Sequence, residues 1–246
     1  NSPFTLDIPS HAVHVPQGEY SLVILKNDLD GNYILSFQEN FDNEVNPDGV
    51  IADRSGNIII SGRFSDTIFI GSQELISAGS FDGFIAKYDP SGNFQWALRA
   101  GGESIEYLAT ISADASDNIF LTGEFTSSNV TVDQTPFTMD EGDGNIIFAK
   151  FNPAGEVQWI KALAATRHAW HDGYCWPTGI RVSPDSSVYI KGSMRDSAYF
   201  DHILLTSPFE GYNKFITKTD SDGNVLWADI IIQGRSGSYW FDYNQF

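Results

Sequence analysis

The segment KYDPSGN, residues 87–93, is the clearest copy of a turn that recurs along this chain. Asp89 stands three residues before Gly92; such an aspartate caps its own turn by accepting backbone N–H groups, and the glycine takes a positive φ. The other copies are KNDLDGN at 26–32, KFNPAGE at 150–156 and KTDSDGN at 218–224. Their glycines, at positions 31, 92, 155 and 223, are separated by 61, 63 and 68 residues. A repeat of this length predicts a tandem array of small sheet units.

Strand signals fill the space between these turns. In the clearest copy the predicted strands cover residues 108–114, 118–125, 145–151 and 156–161, and a variable excursion at 130–140 separates the second strand from the third. These segments are rich in β-branched and aromatic residues and are bounded by Gly, Pro, Asp or Asn. No segment has the 3.6-residue periodicity of a helix. Short turns join antiparallel neighbours, so each repeat is predicted to be a four-stranded meander.

A tandem array of four-stranded antiparallel units is typical of a β-propeller, and a β-sandwich is the main alternative. We therefore predict an all-β fold, a single β-propeller of four-stranded antiparallel blades over residues 1–246, with repeats at approximately 4–64, 67–125, 130–194 and 198–246. This amounts to about 3.5–4 blades, at or below the usual range of 4–8. Either the chain is a fragment of a larger propeller, or residues 239–246 close a four-bladed ring against the strands of Leu22 and Leu35. The N-terminal Asn1 is expected to be a processed or truncated end.

Composition restricts the classes of partner. Asp and Glu outnumber Lys and Arg by 32 to 14, which gives a net charge of −18. This charge repels nucleic acid and anionic lipid, so neither is expected as a partner. Hydrophobic residues make up 41% of the chain, enough for a core, but no run is long enough to span a bilayer. The single cysteine, Cys175, excludes an intrachain disulfide.

Two longer stretches resemble a known repeat family. They are FIAKYDPSGNFQW at 84–96, followed by Gly101 and Gly102, and the pattern IxxDxxxNIFLTGEF at 111–125. Both are similar to the bacterial SBBP repeat, a "seven-bladed β-propeller" repeat, and the similarity extends over nearly the whole chain. The resemblance implies large exported or surface-displayed bacterial proteins. It implies no reaction, no catalytic residues and no cofactor.

The most unusual local feature is the segment RHAWHDGYCWP at 167–177, which links two repeats. Loops on a rigid scaffold often carry binding residues. The candidate ligand-binding residues are Trp170, His171, Asp172, Tyr174 and Trp176, a mixture of flat apolar faces and hydrogen-bonding groups suited to sugars or an aromatic-binding protein. The alternative is a loop whose aromatic residues pack on the propeller. Trp240 lies in the equivalent link of the next repeat and would line the same groove if both loops share one face.

Other recurring residues are better explained by structure. Lys26, Lys87, Lys150 and Lys218 each stand five residues before a turn glycine, and we expect their ammonium groups to reach turn carboxylates or carbonyls. The set of His168, His171, Asp172 and Cys175 lacks the paired spacing of a structural zinc site. No metal site is therefore predicted.

The sequence thus favours a non-enzymatic, exported or cell-surface binding module for adhesion, for a glycan or protein partner, or for structural display. Two alternatives stay open. One is a carbohydrate-active enzyme with a sugar groove at the 167–177 loop. The other is a subunit of a surface fibre or array, in which blades pair with further blades of the same chain or of a neighbouring subunit.

Overall fold

A computed structural model describes residues 4–8, 11–15, 20–139, 145–165, 175–195, 197–206 and 212–232. Within these ranges the chain forms 22 strands and no helix, so none of its described segments is a helix able to cross a membrane. The strands are β1 Phe4–Ile8, β2 His11–Val15, β3 Tyr20–Asn27, β4 Tyr33–Phe41, β5 Val45–Ala52, β6 Ile58–Phe64, β7 Thr67–Ile70, β8 Gln73–Ile76, β9 Asp82–Tyr88, β10 Phe94–Gly102, β11 Glu106–Ala113, β12 Ile119–Phe125, β13 Asn129–Val132, β14 Thr135–Thr138, β15 Asn145–Phe151, β16 Val157–Ala165, β17 Cys175–Val182, β18 Val188–Arg195, β19 Ser197–Phe200, β20 Ile203–Thr206, β21 Tyr212–Thr219 and β22 Val225–Ile232.

The strands form antiparallel blades of the β-propeller type, as the repeat predicts. Blade 2 consists of β5, β6, β9 and β10, blade 3 of β11, β12, β15 and β16, and blade 4 of β17, β18, β21 and β22. Blade 1 contributes only its two outer strands, β3 and β4. The described part of the chain therefore holds about three and a half blades. No hydrogen-bonded pairing in that part joins β22 to β3 or β4.

The recurring turns have the predicted geometry. The Asp89 carboxylate accepts the backbone N–H groups of Ser91 at 2.8 Å and Asn93 at 2.9 Å. Gly92 has a φ of 85°, in the left-handed region that glycine tolerates best. In the turn between β17 and β18, which lacks the glycine, Ser186 adopts a φ of 62° instead. The repeated sequence is thus explained by turn closure.

The excursions between second and third strands are more ordered than the sequence indicated. The segment predicted as a variable connection at 130–140 forms the hairpin β13–β14, and β13 pairs with β10 of the preceding blade. In the same way β19 pairs with β16 of the blade before its own. Two of the sheets therefore have six strands. The four-stranded description is right for blades 2, 3 and 4, but it misses the hairpin by which one blade extends its neighbour.

The hydrophobic core lies between blades. One cluster joins blade 1 to blade 2, a second joins blade 2 to blade 3, and a third joins blade 3 to blade 4. In β6 both faces are covered, since Ile58 and Ile60 belong to the first cluster and Ile59 to the second. This explains the continuous apolar run III in place of an alternating pattern.

The recurring lysines connect consecutive blades. Lys26 donates to the Pro90 carbonyl at 3.5 Å, Lys87 to the Pro153 carbonyl at 3.2 Å, and Lys150 to the Ser221 carbonyl at 3.3 Å. The acceptor is always two residues before the turn glycine of the next blade. The prediction that the lysines reach turn carbonyls is confirmed for these three, and the structure adds that the turn belongs to the neighbouring blade. The Lys218 ammonium lies 3.8 Å from the Asp185 carboxylate, in a turn of its own blade.

An aromatic ring accompanies each lysine at the same boundary. A Cβ atom at Gly92 would lie 2.8 Å from the Phe37 ring, one at Gly155 would lie 2.9 Å from Trp96, and one at Gly223 would lie 2.8 Å from Trp159. The turn glycine is therefore needed twice, for its positive φ and for the close approach of the ring from the preceding blade. We call the lysine contact and the ring contact together the blade lock.

Candidate functional site

The structure describes one of the predicted ligand-binding residues. Trp176 lies within the described ranges. The other five, Trp170, His171, Asp172, Tyr174 and Trp240, lie outside the described residues, as does His168. The site is therefore built from Trp176 outward.

Trp176 belongs to a strand, which corrects its prediction as a loop residue. It lies in β17, which begins at Cys175, and its backbone is in register with Ser193 of β18. The ring is half-buried and packs edge-on against Tyr212, with ring centroids 5.1 Å apart and an interplanar angle of 69°. Edge-to-face packing of this kind fixes the orientation of both rings. Trp176 is thus an aromatic group of fixed orientation at the second residue of β17.

Strand direction places this pair at one end of the blade. Adjacent strands of blade 4 are antiparallel. The first residues of β17 and β21 therefore lie at the same end of the blade as the last residues of β18. The Asp–Gly turns occupy the opposite end. We call the end that carries Trp176 and Tyr212 the rim.

Polar groups flank the aromatic pair on blade 4. Lys214 donates to the Ser193 hydroxyl at 2.6 Å, and Ser193 is the cross-strand neighbour of Trp176. Burial lowers the pKa of Lys214 from its ordinary value. Burial also lowers the pKa of the nearby Lys191, and the Lys214 charge lowers it further. This part of blade 4 therefore carries two ammonium groups as well as the aromatic pair.

Glu124 brings a titratable carboxyl to the boundary between blades 3 and 4. It is half-buried near the end of β12, and burial raises its pKa to about 7. Its charge in turn raises the pKa of the buried Cys175 thiol, although burial of the thiol is the larger cause. Glu124 thus acts on the residue next to Trp176, across the blade boundary.

The rim of the preceding boundary has different chemistry. Arg63 stands one residue before Phe64 at the end of β6, as Glu124 stands before Phe125 at the end of β12. The Arg63 guanidinium lies 4.7 Å from the centre of the Tyr107 ring, and Tyr107 occupies the register position in β11 that Trp176 occupies in β17. One boundary therefore pairs a cation with an aromatic ring, whereas the equivalent strand position at the next boundary holds a carboxyl.

Two further carboxylates near the rim have structural roles. Glu106 is fully buried and accepts hydrogen bonds from the Gly102 N–H at 3.0 Å and the Ser127 hydroxyl at 2.5 Å. Asp82 is also fully buried and pairs with Arg99 at 2.5 Å. Both groups are enclosed and hold connecting segments in place, so neither is offered to a ligand.

Across the described ranges, no three His, Cys, Asp or Glu side chains converge closely enough to hold an ion. In the turns the carboxylate oxygens already accept hydrogen bonds: Asp28 accepts from the Asp30 and Asn32 backbones and from the Asn32 amide. This agrees with the interpretation of these residues as turn caps.

Sequence reasoning missed Glu124, Tyr212 and Lys214. A signal for Glu124 was present, because the strand ends SGRF at 61–64 and TGEF at 122–125 differ only in one charged position apart from a Ser–Thr exchange. In both segments the charged residue stands between a glycine and a buried phenylalanine. The glycine and the phenylalanine are the same in both blades, whereas the charged residue at the rim changes. Tyr212 and Lys214 had no comparable signal, since their importance depends on which strand lies beside Trp176.

Comparison with known proteins gives one informative relative. The chain is 26% identical to an uncharacterized WD repeat-containing protein, L264, of Acanthamoeba polyphaga mimivirus, over 73% of this chain and 14% of that protein. The chain thus spans about a seventh of the relative it matches. No family model matches the chain. This similarity agrees with a repeated β-propeller-type fold, and such a fold is compatible with a binding or scaffold module.

Proposed function

We propose that this chain is a non-enzymatic binding module whose rim on blade 4 contacts a protein partner through Trp176 and Tyr212. The observation that supports the proposal most is the contrast between the two ends of the blades. The turn end repeats the same lock from blade to blade, whereas the rim changes from Arg63 and Tyr107 to Glu124 and Trp176. Residues that vary on a constant scaffold are the usual carriers of specificity.

The chemistry of the rim suits a partner with an apolar or aromatic anchor. Trp and Tyr are enriched among residues that dominate binding energy, because they offer large rigid surfaces. The net charge of −18 disfavours acidic partners and favours neutral or basic ones. The relative's WD repeats support a protein partner, since WD repeat proteins generally mediate protein interactions. A glycan is the other ligand that flat aromatic groups of this kind would bind.

The proposed setting is an exported or surface-displayed protein. Its support is the resemblance of the turn-and-strand motif to the bacterial SBBP repeat. Treatment of intact source cells with a protease that cannot enter them tests the setting: rapid loss of the full-length protein supports surface display, and complete protection contradicts it.

The binding proposal is tested with matched aromatic variants. Trp176→Ala and Tyr212→Ala remove the rim pair, and Tyr199→Ala removes a 40% exposed tyrosine from the hairpin β19–β20 as a control. All three are screened beside the wild type on a peptide display library and a glycan array, after thermal melting has shown that they fold. Loss of a peptide signal in the two rim variants alone supports the proposal. A signal that survives both rim variants contradicts it, and a glycan signal lost in both would replace the protein partner with a sugar.

A carbohydrate-active enzyme is the second candidate, and Glu124 is the observation that favours it. Glycosidases need a carboxylic acid that is still protonated near neutral pH, and a pKa of about 7 meets that requirement. A second carboxylate is also required in the usual mechanism. Hydrolysis of a panel of chromogenic glycosides by the wild type but not by Glu124→Gln would support the enzyme, and no turnover by either would argue against it.

A further inference from the structure

The outer face of blade 4 carries one complete half of the blade lock. At the boundary between blades 3 and 4, the donor half consists of Lys150, Phe120 and Trp159. The Lys150 ammonium lies 5.1 Å from the centre of the Phe120 ring, and the Phe120 and Trp159 ring centroids are 6.2 Å apart at 63°. The turn at Ser221–Gly223 of blade 4 covers this set.

Blade 4 presents the same set with the same geometry. Its Lys218 ammonium lies 5.3 Å from the centre of the Tyr189 ring, and the Tyr189 and Trp227 ring centroids are 6.2 Å apart at 66°. Trp227 nevertheless remains 40% exposed. The donor half on blade 4 is therefore already shaped for a turn, although no described turn covers Trp227.

The complementary half lies at the other end of the array. In each lock the acceptor is a turn glycine with no side chain in the way and a carbonyl two residues before it. In blade 1 these are Gly31 and the Leu29 carbonyl. Gly31 has a φ of 83° and no neighbouring atom within 4 Å of the position where a Cβ would stand, and the Leu29 side chain is fully exposed. The described structure thus leaves one donor half and one acceptor half open.

The strand edges show the same complementarity. The outer strand β10 pairs with the hairpin strand β13 of the next blade, and β16 pairs with β19. Among the described strands, β22 pairs only with β21, and the hairpin β1–β2, which precedes β3 as β13–β14 precedes β15, forms a separate two-stranded sheet. This bridging pairing occurs at two of the three described boundaries, since the hairpin β7–β8 forms a sheet of its own beside blade 1. At the two ends of the array, the open edge of β22 and the hairpin β1–β2 are the strands that could make it.

We infer that the blade 4 face of one copy of this chain binds the blade 1 face of a second copy, head to tail. Trp227 packs on Gly31 of the second copy, Lys218 donates to its Leu29 carbonyl, and its β1–β2 hairpin extends the sheet at β22. A second copy is the indicated occupant because it presents the acceptor half of a contact that this chain already makes three times. The two faces differ, so the interface is heterologous and propagates into chains of copies unless the array closes on itself.

The test uses one variant for each half of the lock. Trp227→Ala removes the donor ring. Gly31→Asn keeps a residue that tolerates positive φ but adds a Cβ where the ring must approach. Phe69→Ala, at a 56% exposed aromatic residue on β7, is the control. Each protein is studied by analytical ultracentrifugation over a concentration series, and circular dichroism and thermal melting establish that it is folded.

The wild type and Phe69→Ala are expected to grow in mass with concentration, and each lock variant alone is expected to raise the apparent dissociation constant at least tenfold. An equimolar mixture of the two lock variants retains one intact donor and one intact acceptor and is expected to form dimers and nothing larger. If Trp227→Ala fails to fold, Lys218→Met takes its place in the mixture. A wild type that stays monomeric at millimolar concentration overturns the inference. So does a lock variant that dimerises alone with the dissociation constant of the wild type.

Discussion

The ammonium of Lys87 lies 2.9 Å from the carboxylate of Asp53, and both side chains are almost entirely buried. Lys87 also donates to the Pro153 carbonyl of the next blade at 3.2 Å. Asp53 in addition accepts the Asn57 backbone N–H at 2.8 Å. The one lysine therefore joins the Asp53 turn of its own blade to the Pro153 turn of blade 3.

Removal of the Lys87 charge should destabilise the protein strongly. Lys87→Met keeps most of the stem but leaves the Asp53 carboxylate buried without a counter-charge, a change that typically costs about 3–5 kcal/mol. Chemical denaturation monitored by tryptophan fluorescence measures the cost. Lys26→Met, at the more exposed copy of the same contact, should cost less than about 1 kcal/mol. A Lys87→Met, Asp53→Asn double variant should recover part of the loss, and equal losses in the Lys87 and Lys26 variants would contradict the assignment.

The double requirement on the turn glycines gives a second prediction. Gly56 and Gly155 have nearly the same φ, 82° and 87°, but a Cβ at Gly155 would lie 2.9 Å from Trp96, whereas the nearest atom to a Cβ at Gly56 is 3.7 Å away. Gly56→Ala should therefore cost only the backbone strain, about 1–2 kcal/mol. Gly155→Ala should cost about 1–3 kcal/mol more because of overpacking. Similar unfolding free energies for the two variants would show that the ring contact does not restrict position 155.

The raised pKa of Glu124 makes stability depend on pH. Its ordinary value is 4.5 and its value in the folded chain is about 7, so the folded state binds the additional proton between these limits. The contribution of Glu124 to the unfolding free energy therefore falls as the pH rises from about 4.5 to about 7 and stays low above that range. At 1.36 kcal/mol per pKa unit the full effect is on the order of 3 kcal/mol.

Glu124→Gln resembles the protonated carboxyl and should remove this dependence. The variant and the wild type should have similar unfolding free energies at pH 4, and the variant should be more stable at pH 8. The difference between their two stability curves isolates Glu124 from every other titrating group. A constant difference across this range would mean that the carboxyl titrates near its ordinary value.

Cys175 is predicted to be unreactive in the native protein. The side chain is fully buried, and burial together with the Glu124 charge raises the pKa of its thiol. Since the thiolate is the reactive form, iodoacetamide at pH 8 should leave the native chain unlabelled and modify it fully in denaturant. Mass spectrometry of both reactions gives the result. Rapid native labelling would show that β17 separates readily from blade 3.

The sequence is a good guide where structure is local. The Asp89 cap and the Gly92 φ are properties of a few consecutive residues, so the turns and the strands that flank them follow directly from the repeat. The hairpin β13–β14 does not follow from the repeat because its partner, β10, is contributed by the preceding repeat. Such pairing leaves no periodic trace in either segment taken alone.

The candidate site was predictable to a smaller extent. The concentration of aromatic residues points to the segment around Trp176, but the place of Trp176 in β17 depends on its register with Ser193. Glu124 has its raised pKa because its surroundings bury it at the boundary with blade 4, and burial of a side chain is a tertiary property. Residue types therefore identified the segment, whereas the spatial arrangement determined which side chains act together.

In every lock the lysine and the ring belong to one blade and the turn belongs to the blade that follows it in the chain. This order has an evolutionary consequence. Each repeat carries a donor for the unit after it and an acceptor for the unit before it, so a tandem duplication of the gene segment adds a unit that already fits both neighbours. Arrays of this kind can lengthen or shorten by whole units without compensating mutations. Selection is then free to alter the chemistry of individual rims, one copy at a time.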